Sequence, residues 1–126
     1  ETGGLLFTPA IPAHYALNVA LDELIEETVA GRIKRYGDAA NFLRDGFKNL
    51  GLEFIIPQGW RSNCLTGIKL PKEISYEKLH AELKFNGFVI YAGQGKLSES
   101  IFRIANMGDI KKEEFQRLLK TLEAIV

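Results

Sequence analysis

From Ala13 to Leu50 the apolar residues of this chain recur every three to four positions, and after Gly51 that rhythm stops. Tyr15, Val19, Leu21, Leu24 and Ile25 follow the period of a helix with one apolar face. Ile33, Tyr36, Ala40, Leu43, Phe47 and Leu50 continue it. The stretch is too long for one ordinary globular helix. Thr28-Val29-Ala30-Gly31 is the expected break into two, and Gly51 the expected stop. Thr8-Pro9 and Ile11-Pro12 give the first helix a rigid, extended lead-in.

Past Gly51 the apolar runs are short and bounded by turn residues. Leu52–Ile56, ended by Pro57, is expected to be a strand, as are Leu65–Leu70, Phe88–Tyr91 and Ile101–Ala105. Ser75 is placed to cap a helix over Tyr76–Phe85, which Asn86-Gly87 closes. Asp109 is placed to cap a last helix carrying an apolar stripe of Phe115, Leu118, Leu119, Leu122 and Ile125. Helices first, then strands interleaved with helices, imply an α+β fold: a two-layer small domain with a mainly antiparallel sheet covered by helices.

The chain has 126 residues, enough to bury a core without disulfides or metals. Sixteen basic and sixteen acidic side chains cancel, which disfavours nucleic acid as the main partner, and no apolar run is long enough to span a membrane. One cysteine, Cys64, excludes an internal disulfide and an all-cysteine metal site. No signal-peptide pattern opens the chain, so a cytoplasmic setting is expected. The first residue is not methionine, and Glu1-Thr2-Gly3-Gly4 leading into Leu5-Leu6-Phe7 reads as a cut inside a longer protein.

Few residues invite chemistry. His14 and His80 have no partner at metal-ligand spacing, so no metal is expected. Cys64 is either a thiol activated by nearby Arg61 or an inert thiol at the start of a strand. Gly93-Gln94-Gly95 either lets the backbone approach a ligand or simply joins two strands; it opens no helix, so it is no dinucleotide fingerprint. Arg103 lies mid-strand, opposite in direction to Phe102 and Ile104. A charge there guards an exposed sheet edge or faces an anion, and the arginine fork suits a carboxylate.

Phe7-Thr8-Pro9-Ala10-Ile11-Pro12, the helical pair, Ile90–Gly95 and Ile101-Phe102-Arg103-Ile104-Ala105-Asn106-Met107-Gly108-Asp109, in that order, resemble the C-terminal part of class V pyridoxal-phosphate aminotransferases. The resemblance covers essentially the whole chain. Phe88–Gly95 and Arg61–Thr66 are most similar to 2-aminoethylphosphonate–pyruvate transaminases, with alanine–glyoxylate and serine–pyruvate enzymes as near relatives.

The resemblance implies an opening loop over residues 1–12, connecting helices over 13–50 and a small C-terminal α+β domain over 51–126. It implies that Arg103 binds the substrate carboxylate. Thr8 would reach the cofactor phosphate of the neighbouring subunit in a homodimer, and Gly93, Gln94 and Gly95 would lie near the substrate entrance. The family's pattern includes relatives with a tyrosine where Leu5 stands, so the resemblance does not carry over a second phosphate contact from this loop. The lysine that holds pyridoxal phosphate belongs, in the family, to a large domain, and no lysine here sits in a matching motif. Lys96, the lysine nearest the implied site, reads as a solvated loop residue. The piece alone is therefore expected to be inactive and not to bind the cofactor tightly. The rival readings are a stand-alone regulatory domain that binds a small carboxylate, and one subunit of a split enzyme.

Overall fold

The computed structural model describes residues 8–126; the expectations placed on residues 1–7, Leu5 included, lie outside the described residues. The chain divides into two compact units, one running to Lys34 and one from Arg35 to Val126.

In the first unit, α1 spans Ile11–Glu27, with Pro12 in its first turn. None of its residues is buried. Tyr15 and Ile25 are 72% and 75% exposed, and Leu17, Val19 and Leu21 are exposed as well. The break falls at Thr28, as expected, with φ 68° and ψ 152°. A β-branched residue is strained in that region. Its hydroxyl accepts from the Gly31 N–H at 3.1 Å and so caps α2, which spans Val29–Asn49.

In the second unit, α2 buries Ala40, Leu43, Arg44 and Phe47 at helical spacing. It ends where Gly51 N–H donates to Lys48 O and Leu52 N–H to Phe47 O, the paired bonds of a Schellman stop. The sheet has three antiparallel strands in the order β1-β3-β2: β1 Leu65–Lys69, β2 Tyr91–Ala92 and β3 Ile101–Ala105. Gly67 and Tyr91 flank Arg103 across the ladder, and Ile68 and Ala92 flank Phe102. Between β1 and β2 lies α3, Tyr76–Phe85, whose cap Ser75 accepts from the Lys78 N–H at 3.3 Å. The last helix is α4, Lys112–Glu123.

Ile68, Phe102 and Ile104 share one sheet face. They meet Leu43 and Phe47 of α2, Leu79 and Leu83 of α3, and Phe115, Leu118 and Leu122 of α4 in one core. The result is the expected two-layer α+β unit: helices cover one face of the sheet, and Arg103 stands on the other.

Three local expectations are corrected. Leu52–Ile56 is not a strand; it makes a single bridge, Phe54 to Ile68, before the chain bends towards Pro57, which has no N–H to continue a ladder. The third strand is Tyr91–Ala92 rather than Phe88–Tyr91. The Phe88 N–H is taken by Leu83 O in the stop of α3, and Ile90 O accepts from the Tyr76 hydroxyl at 3.0 Å. Asp109 does not cap α4: the cap position is Lys111, and Asp109 instead pairs with the Lys111 ammonium at 2.9 Å. Glu113 and Glu114 supply the acidic first turn.

Candidate anion-binding site

Arg103 occupies the middle of the central strand, with β1 on one side and β2 on the other. It therefore guards no sheet edge, which removes one of the two roles its sequence left open. Its Nε–H donates to Ala92 O at 2.9 Å, and the side chain is half-buried. Among the described residues no carboxylate pairs with it, and its two Nη groups are left for a ligand.

Arg103 lines two cavities. One, of about 420 Å³, lies on the β2 side and is mainly apolar, with Tyr91, Val89, Met107 and Ile110 at its mouth. The other, of about 260 Å³, lies on the β1 side between the strand and the segment after α2. Here Ile55 lies across Gly67. A Cβ on Gly67 would come within 2.6 Å of Ile55 Cδ1, so the glycine leaves room for the Ile55 side chain, while Ile55 N–H donating to Gly67 O and Lys69 N–H donating to Glu53 O hold the segment against the sheet. That closeness brings Trp60, Arg61 and Ser62 to the same cavity as Arg103.

Arg61 is held on two sides. Its Nε–H donates to Ile56 O at 2.8 Å, and its guanidinium lies 4.3 Å from the centre of the Phe54 ring. Behind the cavity wall, Arg44 is buried, donating from Nε to Thr66 Oγ1 at 3.3 Å and from Nη2 to Ser62 O. Burial first, and the nearby Arg61 charge second, lower the Arg44 guanidinium pKa from its ordinary value. No aspartate or glutamate lines the cavity.

The Gly93-Gln94-Gly95 loop continues from Ala92, whose carbonyl holds Arg103. Gly93 N–H donates to Ile101 O at 2.9 Å, and a Cβ there would come within 2.3 Å of Leu97 O. Close backbone packing is thus what this glycine permits; Gln94 and Gly95 are exposed, and none of the three lines either cavity. Thr8 is exposed and does not cap α1, whose cap position is Ala10 without a side-chain bond. Arg103 and Thr8 belong to different units.

Cys64 is half-buried, and Arg61 points its bonds at Ile56 and Phe54 rather than at the thiol. His14 Nδ1 lies 3.0 Å from Ala10 O, and His80 stacks on Tyr76. Among the described residues no cluster is placed to hold a metal. Lys69 pairs with Glu53 at 2.6 Å, Lys112 sits over Phe42, and Lys96 is exposed in the loop, as expected.

The sequence alone assigns neither Arg44 nor Arg61 to this site; there Arg61 stands only as the cation near Cys64. Arg44 stands on the apolar stripe at i+4 from Ala40 and three before Phe47, a signal that it is buried. Arg61 had no comparable signal, because its place depends on how the segment folds over Gly67.

No family model matches the chain. It is 41% identical over 126 residues to the 2-aminoethylphosphonate–pyruvate transaminase of Lysinibacillus sphaericus, covering 98% of this chain and 34% of that protein. It is 36% identical over 119 residues to an uncharacterized aminotransferase of Methanocaldococcus jannaschii, covering 93% of this chain and 31% of that protein. The chain thus spans about a third of the length of the curated relatives it matches. Among solved structures, it superposes on an alanine–glyoxylate aminotransferase from Nostoc with a TM-score of 0.90, at 23% identity, over 97% of this chain and 33% of that one. It superposes on the ureidoglycine–glyoxylate aminotransferase of Bacillus subtilis with a TM-score of 0.82, at 28% identity, over 88% of this chain and 29% of that one. The resemblance to aminotransferases therefore holds along nearly the whole chain, and the fold is that of about a third of such enzymes.

Proposed function

We propose that this chain is the small C-terminal domain of a pyridoxal-phosphate transaminase that moves an amino group from 2-aminoethylphosphonate to pyruvate. The observation that carries this reading is Arg103: a guanidinium fixed at the centre of the sheet, paired with no carboxylate among the described residues and open to two cavities, of which the one on the β2 side also carries Glu114, itself paired with Arg117. A carboxylate fits that fork with two parallel bonds. The donor and acceptor follow the name of the Lysinibacillus relative.

The chain's described residues do not fit a complete cofactor seat. No lysine lies beside Arg103, and the lysines near the cavities are paired or solvated. Pyridoxal phosphate, held elsewhere in the enzyme, supplies the carbonyl chemistry. This domain orients the substrate through Arg103 and closes one wall of its site. Thr8 lends its hydroxyl to the cofactor phosphate of the neighbouring subunit in a homodimer. The piece alone is inactive.

The test is a chimera of the Lysinibacillus transaminase in which this chain replaces the stretch it matches. Conversion of 2-aminoethylphosphonate and pyruvate is the expected result. A folded chimera that binds the cofactor yet turns over only alanine and glyoxylate would move the reading to an alanine–glyoxylate type enzyme. One that catalyses no transamination would overturn it.

A further inference from the structure

The cavity on the β1 side holds more positive charge than a carboxylate needs. Arg61 and Arg103 both line it, Arg44 lies behind it bonded to Thr66 and Ser62, and no acidic side chain lines it. Like charges gathered without a counter-charge repel one another, and the lowered Arg44 pKa carries a contribution from Arg61. One monoanion satisfies one fork; two forks suit an anion with two charges and three acceptor oxygens. Both forks are already fixed: Arg103 by Ala92 O, Arg61 by Ile56 O and the Phe54 ring. Little side-chain freedom is left to lose on binding.

We propose that Arg61 is the second cation of an anion site shared with Arg103, and that this cavity selects a tetrahedral dianion, a phosphonate or phosphate group, over a carboxylate. As an anion site it stands on the chain's own geometry; as a donor subsite it rests on the transaminase reading. Arg61 then determines specificity, separating a phosphonate-bearing donor from an amino acid, while Arg103 serves both.

Trp60, the chain's one tryptophan, lines the cavity and is 85% exposed, so its fluorescence reports on binding directly. The chain is titrated with methyl phosphate and with acetate at equal ionic strength. Methyl phosphate should bind at least about tenfold more tightly than acetate. Its affinity should rise between pH 5 and 7, because a phosphate monoester gains its second charge near pH 6 while arginine stays protonated. Arg61→Gln should bring methyl phosphate down to the affinity of acetate and leave acetate unchanged. Arg61→Lys, with the charge kept and the fork lost, should fall between, and unchanged circular dichroism shows that both variants fold.

Equal affinities for the two probes, no binding of methyl phosphate, or an Arg61→Gln variant that binds methyl phosphate like the parent would each overturn the proposal. If only Arg103→Gln abolishes binding, the dianion site falls and the carboxylate role of Arg103 stands. If the dianion site holds and the chimera shows no transamination, the reverse is true. In the active chimera, Arg61→Gln should raise KM for 2-aminoethylphosphonate and spare cofactor affinity if the group bound is the donor's phosphonate. A loss of cofactor affinity instead would assign the same site to the cofactor's phosphate.

Discussion

Arg103 Nε–H donates to the Ala92 carbonyl at 2.9 Å, so the central strand fastens its own arginine to the neighbouring strand. The bond restrains the guanidinium and uses neither Nη group. Lysine in its place keeps the charge but has neither the Nε bond nor the fork. A hydrogen bond to a charged group contributes roughly 1.5–3 kcal/mol, about ten- to a hundredfold in affinity. In the chimera, Arg103→Lys should therefore raise KM for pyruvate by about that factor. The melting temperature should fall only slightly, through the lost bond to Ala92 O, because Phe102 and Ile104 pack on the opposite face. Unchanged kinetics alongside a lowered melting temperature would make Arg103 a structural residue.

The first helix should be the least protected part of the isolated chain. Not one of its residues is buried, whereas Phe102 and Ile104 of β3 lie in the core. Local opening follows the number of buried apolar contacts. Hydrogen exchange should show α1 amides exchanging well ahead of those of Ile101–Ala105. Equal protection in the two segments would mean that α1 has found a partner in solution.

Thr8 should matter for cofactor retention and not for folding. A helix cap lost to alanine costs about 0.5–2 kcal/mol, but the cap position of α1 is Ala10, and no side chain caps the helix there. Thr8→Ala in the chimera should raise the cofactor dissociation constant and leave the melting temperature of the cofactor-free protein unchanged. The opposite pair of results would assign Thr8 to the structure of the helix start.

The chain alone should not take up pyridoxal phosphate at a dedicated lysine. No lysine lines either cavity of Arg103; Lys69 is engaged by Glu53, Lys112 by the Phe42 ring, and Lys72 and Lys96 are exposed. Titration should give only the weak, non-saturating absorbance change of scattered surface amines. A stoichiometric, saturable band would show that the chain holds a reactive lysine of its own.

Periodicity and local residue types determined the helical pair, its break within Thr28–Gly31, its stop at Gly51, the cap at Ser75 and the strands β1 and β3. Each is set by local rules: helical spacing, a hydroxyl at a helix start, a glycine at its end. The short apolar runs misled, because strand length depends on hydrogen-bond partners that lie elsewhere in the chain. Phe88 looks like strand, but its N–H closes α3; Phe54 finds a single bridge before the chain turns away. The candidate site shows the same division. Arg103 was legible as a mid-strand arginine, but its two possible roles were equal until the strand order made it central. Arg61 acquired its place only in three dimensions, where backbone bonds from Ile55 to Gly67 and from Lys69 to Glu53 hold the segment on β1 and Arg61 meets the cavity that Arg103 lines. A local pattern records the preferences of neighbouring residues; a site is made by residues far apart in sequence, and only packing decides which of them meet.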